Sequence, residues 1–212
     1  MACTPFQLTT INTSCGSNLP SIKRMWIGNF DSLSTVGYNY VSNPYYEAGG
    51  DEPEYLTDDD GNKIVESINN LAINTTATHP QYWVEYHFRK NTCSAGSEMT
   101  VNDNGTHYFT NTVNMVFAKQ DTPKRLNIEA IASGDVAVIY EDGNGKYWLM
   151  NPKDEVNLST ATSETGTAVG DANQYTLTLS QNSANMPFEI VGNPSASPSV
   201  TPQGLIDALM QS

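Results

Sequence analysis

Two stretches of this chain alternate between apolar and polar residues with a period of two, and that pattern limits the fold more than any other feature. Tyr82, Val84, Tyr86 and Phe88 alternate with Trp83, Glu85, His87 and Arg89. Across 107–119, after a turn at Asn104-Gly105, Phe109, Val113, Met115 and Phe117 share one parity. Only an extended backbone sends every second side chain to the same face, so both stretches read as strands with one face on a core.

Other segments follow the same logic. In Ser21–Phe30, Ile22, Arg24, Trp26 and Gly28 are expected on one face and Lys23, Met25 and Ile27 on the other. Lys63–Ile73 reads as a strand. Val136–Tyr140 is a continuous apolar run, followed by a turn at Glu141–Gly145 and a return at Lys146–Met150, which together make a hairpin. Gln174–Ser180 alternates, and Met186–Val191 reads as the last strand. Residues 152–173 are polar and rich in Gly and Thr, and read as a long loop. One internal helix is expected from Thr122, as cap, to Gly134, as stop, with Pro123 in the first turn. The expected fold is mainly β: an antiparallel sandwich or barrel-like core with one flanking helix and a short C-terminal helix.

The chain divides into a β-rich domain, 1–191, and a tail, 192–212. Residues 1–20 read as an extended arm. In the tail, Pro194 and Pro198 among Ser and Ala read as a linker, and Thr201-Pro202 opens a short helix. Leu205, Ile206, Leu209 and Met210 fall on one face of it. A helix this short must dock on something to persist, and a neighbouring subunit is the expected partner.

Charge narrows the function. The net charge is −13, with only ten Lys and Arg. A grip on nucleic acid needs clustered cations, so none is expected. Seven acids, Glu47, Asp51, Glu52, Glu54, Asp58, Asp59 and Asp60, sit in the single segment 40–62. Tyr40, Tyr45, Tyr46 and Tyr55 are interleaved with them. Solvated loops are poor in aromatics, so this loop is expected to pack against something, with Tyr45, Tyr46 and Tyr55 as subunit contacts.

Motifs for chemistry are few. His79, His87 and His107 lack metal-ligand spacing, and Cys3, Cys15 and Cys93 form no Cys-x-x-Cys pair. Placing Gly61 sixth in a calcium loop puts Leu56 first and Ser67 twelfth, and neither can ligate as that loop requires. There is no nucleophile elbow, P-loop or dinucleotide fingerprint. No cofactor, metal or catalytic residue is expected. No run of 18 apolar residues encodes a membrane span, and the start of the chain carries no signal-peptide pattern.

The order WVEYHF, VNMVFAK, TPKRLNIEAIASG, VAVIYEDGNGKYWLM, GDANQYTLTLS and MPFEI resembles the tail tube family of bacteriophages and related injection machines. Cys15 followed by Leu19-Pro20-Ser21-Ile22-Lys23 is similar to the opening of tail proteins from phages of Bacteroides-type bacteria. The resemblance covers roughly half the chain. It implies a non-enzymatic virion protein made in the bacterial host cytoplasm. Copies would assemble into a homo-oligomeric, hexamer-like ring or tube with other tail proteins, around a channel for genome ejection. DNA would pass without adhering, with carboxylates of the acidic loop as candidate channel residues. A head–tail connector, tail terminator or capsid decoration protein is the alternative within virions. A carbohydrate-binding β-domain using Trp83 and Trp148 is the alternative outside them, against core packing for both tryptophans.

Overall fold

The computed structural model describes residues 18–43, 46–51, 53–57, 61–74, 83–89, 91–103, 105–196 and 199–210. In chain order the elements are β1 Ile22–Asn29, β2 Leu33–Tyr40, β3 Val65–Ile73, β4 Val84–His87, β5 Ser94–Val101 and β6 His107–Ala118. They continue with α1 Thr122–Ala132, β7 Val136–Asp142, β8 Tyr147–Leu149, β9 Asn157–Glu164, β10 Gln174–Ser183, β11 Phe188–Ile190 and α2 Pro202–Leu209. The fold is mainly β. A seven-stranded sheet, in the order β2-β3-β11-β8-β7-β1-β4, faces a four-stranded sheet, β5-β6-β10-β9.

The seven-stranded sheet is covered on both faces. On one side Met25, Ile27, Val136 and Val138 meet Val113, Met115, Leu177 and Leu179 of the four-stranded sheet, with Ile131 of α1 closing one end. On the other side Trp26, Ala137, Ile139, Leu149 and Ile190 meet Leu205, Ile206 and Leu209 of α2. This double burial explains the continuous apolar run in β7, since neither face of that strand meets water. It also explains why β1 alternates poorly. A bulge between Ile22 and Arg24 adds a residue, so Ile22 joins Met25 and Ile27 instead of the Arg24–Trp26 face expected for it.

β4 departs from its expected pattern in a similar way. Tyr86 and Phe88 face the core between the sheets, and each stacks on Phe117. Trp83, however, is only 3% exposed in the core under α2, whereas Val84 is 49% exposed. Gly28 makes room for that indole, because a Cβ there would lie 2.6 Å from the ring. The expected tyrosine at 82 lies outside the described residues.

Glycine serves an approach of backbone to backbone at the β7–β8 turn as well. A Cβ on Gly143 would sit 2.1 Å from the Leu19 carbonyl oxygen, and Asn144 Oδ1 accepts the Leu19 N–H at 2.9 Å. The turn is thus a seat for residues 18–20. The arm expected before Asn18, with Cys3 and Cys15, lies outside the described residues.

α1 begins one residue earlier than expected. Asp121 is its cap, accepting the Lys124 N–H at 3.0 Å, and Thr122 is already helical. Ser133 closes the helix with right-handed backbone, so Gly134 does not act as a left-handed stop. The expected loop at 152–173 contains β9, which pairs with β10 from Asn157 to Glu164. The expected linker at 192–200 is folded back on itself. Asn193 and Val200 exchange backbone hydrogen bonds at 2.9 and 3.0 Å, and the Asn193 side chain accepts the N–H groups of Ser195 and Ala196.

Candidate functional site

The expected contact residues fall into two places, of which the helical one is occupied within the chain. Thr201 Oγ1 accepts the Gly204 N–H at 3.1 Å and starts α2. Leu205, Ile206 and Leu209 are buried against the seven-stranded sheet, and Met210 packs at their margin. The helix thus docks on its own chain, where Leu205, Ile206 and Leu209 spend their apolar face. The Leu209 carbonyl accepts the Trp83 N–H at 3.1 Å, tying its end to the start of β4. A charged clasp fastens its beginning. Arg24 donates to Glu141 at 2.7 Å, Glu85 at 3.4 Å, Tyr147 at 3.2 Å and Gln203 at 2.8 Å. Burial opposes the Arg24 charge, yet the hydrogen bond and attraction from Glu141 outweigh it and raise its pKa. These groups satisfy one another, so the cluster works as a fastening between β1, β4, β7, β8 and α2.

The acidic segment connects β2 and β3 as an irregular hairpin. Ser42 bridges to Tyr55 and Thr57 to Lys63. Tyr55 stacks on Tyr40 with centroids 5.6 Å apart, and the Lys63 ammonium lies 4.4 Å from the Tyr55 ring and 5.2 Å from that of Tyr40. Of the three tyrosines expected to be subunit contacts, Tyr55 thus has neighbours inside the hairpin, Tyr40 and Lys63. Tyr46 is exposed, as are Glu47, Asp51 and Glu54. Tyr45, Glu52, Asp58, Asp59 and Asp60 lie outside the described residues. Among the described residues no three His, Cys, Asp or Glu side chains gather as a metal site would require, and no helix is long and apolar enough to cross a membrane.

Sequence reasoning missed the outward face of the four-stranded sheet. The four-stranded sheet presents one face to the core and the other to solvent. Because Val113, Met115, Leu177 and Leu179 point inward, Thr110, Thr112, Thr176 and Thr178 point outward, and pairing places Thr162 and Thr160 beside the last two. The hydroxyls bond across strands, Thr178 to Asn114 at 2.8 Å and Thr110 to Asn182 at 3.1 Å. None of the four strands contains Lys or Arg, and their only carboxylates are Glu98 and Glu164. Tyr108 is the aromatic residue of the outward face.

The outer strands of this sheet pair with no further strand along β5 and along most of β9, while the start of β9 lies against α1 and Val156 before it pairs with Val136 of β7. β5, SAGSEMTV, and β9, NLSTATSE, are its outermost strands and eight residues long each, with no proline. β9 has one bulge, at Ser159, and is regular from Thr160 to Glu164. Natural sheets usually blunt such edges with shortness, bulges, proline or lysine. The other sheet does so: β4 has four residues, and β2 carries three register shifts.

A buried polar network closes one end of the sandwich. Asn111 donates to Gln181 at 3.3 Å and to the Asn185 carbonyl at 3.0 Å, and Gln181 donates to the Asn151 carbonyl at 2.7 Å. Asn151 reaches Ser183 Oγ at 2.7 Å. These amides are at most 4% exposed, and their mutual satisfaction makes burial tolerable. Comparison with known proteins gave no match to a family model, a curated protein or a solved structure.

Proposed function

We propose that the chain is a structural, non-enzymatic subunit that joins copies of itself edge to edge through its four-stranded sheet, forming a ring of the kind that builds a phage tail. The observation that carries this reading is the pair of bare edges. All neighbours in the sheet are antiparallel, so its two outer strands run in opposite directions. Placing β9 of one copy beside β5 of the next therefore continues the antiparallel alternation. The two strands match in length, and the contact is heterologous, so rotation about an axis closes it into a ring.

Closure would line the ring with a continuous sheet. The uncharged hydroxyl and amide face suits the wall of a conduit, because it has no cation to hold a phosphate and few rings on which bases could stack. On this reading the wall's carboxylates are Glu98 and Glu164, and the acidic hairpin belongs to the outer sheet. Of the two tryptophans of the sugar-binding alternative, Trp83 is buried, and Trp148 is half-buried and gives its N–H to Asp142 at 3.3 Å.

Sedimentation and negative-stain imaging test this reading. The wild-type chain is expected to form rings. Ala161→Lys, which puts a charge on the exposed middle of β9, is expected to leave monomers whose melting temperature is unchanged, as surface substitutions cost within about 0.5 kcal/mol. A wild-type chain that stays monomeric at every concentration, or an Ala161→Lys variant that assembles equally well, contradicts it.

A further inference from the structure

The turn between β7 and β8 carries a dipeptide with chemistry of its own. Asn144 is exposed and is followed by Gly145, whose φ is +82°. An asparagine ahead of a glycine is the pairing most prone to lose its side-chain amide. The nitrogen of the following residue attacks the side-chain carbonyl carbon, and glycine has no Cβ to obstruct the approach.

A strap of three residues, Asn18–Pro20, lies across this turn. The Leu19 carbonyl sits so close to Gly143 that a Cβ there has no room. Asn144 holds the strap with both ends of its amide: Oδ1 accepts the Leu19 N–H at 2.9 Å, and Nδ2 donates to Asn18 Oδ1 at 3.0 Å. The turn is also fixed from within. Asp142 Oδ1 accepts the N–H groups of Asn144 at 2.8 Å and Lys146 at 2.9 Å, and the Gly145 N–H donates to the Asp142 carbonyl at 3.1 Å. While the strap is seated, the Asn144 amide is thus engaged away from the nitrogen that would attack it. Asn18, Leu19 and Pro20 are exposed, so lifting the strap breaks few contacts beyond the two amide bonds.

We propose that Asn144 is a modification site, a centre of spontaneous deamidation whose rate is set by whether the strap is seated. Once the strap lifts, the Asn144 side chain turns toward Gly145. The Gly145 nitrogen gives its proton to solvent base and bonds to Asn144 Cγ. The Cγ–Nδ2 bond breaks and ammonia leaves, which closes a cyclic imide. Water then opens the ring at either carbonyl. Breaking the bond from nitrogen to Cγ leaves an aspartate. Breaking the bond from nitrogen to the main-chain carbonyl leaves an isoaspartate, with the chain running through Cγ. Water is consumed and ammonia released, with no oxidation or reduction.

The two products treat the strap differently. The aspartate keeps an oxygen for the Leu19 N–H. The isoaspartate adds a methylene to the main chain of the turn and draws the carboxylate back toward the backbone, so neither strap bond re-forms. Conversion to isoaspartate therefore makes release of the strap permanent, and the strap is where residues 1–17 join the described fold. The inference stands apart from the ring reading, because turn and strap belong to the seven-stranded sheet.

Peptide mapping of the full chain during storage in mildly alkaline buffer tests it. Leu19→Pro removes the N–H donated to Asn144, and Asn18→Ala removes the other partner. Each is expected to raise deamidation at Asn144 by about tenfold or more over wild type, toward the rate of the chain in urea. Their melting temperatures should match wild type, which separates a lifted strap from a lost fold. In stored wild-type protein, the Leu19 amide should exchange faster in the isoaspartate fraction than in the unmodified one. Strap variants that keep Asn144 intact as long as wild type does overturn the proposal. So does folded wild-type protein that deamidates there at the urea rate, or an isoaspartate fraction whose Leu19 amide exchanges no faster.

Discussion

The two sheets of this molecule solve the same physical problem differently. The seven-stranded sheet is buried on both faces, by the opposite sheet and by α2, and its outer strands are short or repeatedly bulged. The four-stranded sheet is buried on one face and bare on the other, and its outer strands are regular enough to accept another strand. The first blunts its outer strands with shortness at β4 and register shifts at β2. The second leaves two rows of backbone donors and acceptors for something else. On the proposed reading, one sheet carries stability and the other association.

Perturbing the closed sheet should produce the largest loss. Ile206→Ala removes a fully buried side chain between α2 and the sheet, with an expected cost of about 2–5 kcal/mol seen as a fall in denaturation midpoint. Removing α2 should therefore unfold the chain, rather than leave an intact β-core that merely fails to assemble. A truncation ending at residue 200 that keeps cooperative melting would break the comparison.

The polar network comes next. Gln181→Ala strands the buried Asn111 and Asn151 groups and should cost about 1–3 kcal/mol in the same assay. An effect within error would mean that water substitutes for the side chain. The smallest effect is expected in the acidic hairpin. Lys63→Ala removes the cation between Tyr40 and Tyr55 and should cost about 0.5–1 kcal/mol, with faster amide exchange at Val41, Leu56 and Ile64. Ring formation should survive it, because the hairpin belongs to the sheet that the proposed ring does not join.

Legibility in the sequence followed burial. β6 and β10 could be read because one buried face writes its periodicity into the residues, and β7 because two buried faces leave a continuous apolar run. β2, β5 and β9 could not, since outer strands such as SAGSEMTV and NLSTATSE have little buried face, and their extended form comes from the neighbour they pair with. The β1 bulge and the exchange of roles between Trp83 and Val84 were hidden for a related reason: a second core on the far side of the sheet reverses which parity is buried. The apolar face of α2 was legible, but its target was not, because an amphipathic pattern says that a helix docks and not where. The same holds for Tyr40 and Tyr55, whose need for a partner was readable while Lys63 as that partner was not. Bare edges are a property of topology and leave no local signature at all.

Hydrogen exchange on the assembled and dissociated protein tests the division between the sheets most directly. Assembly should slow exchange of the backbone amides along β5 and β9 and leave those along β2 and β4 unchanged. Unaltered exchange in β5 and β9, or new protection confined to β2 and β4, would contradict the assignment of association to the four-stranded sheet.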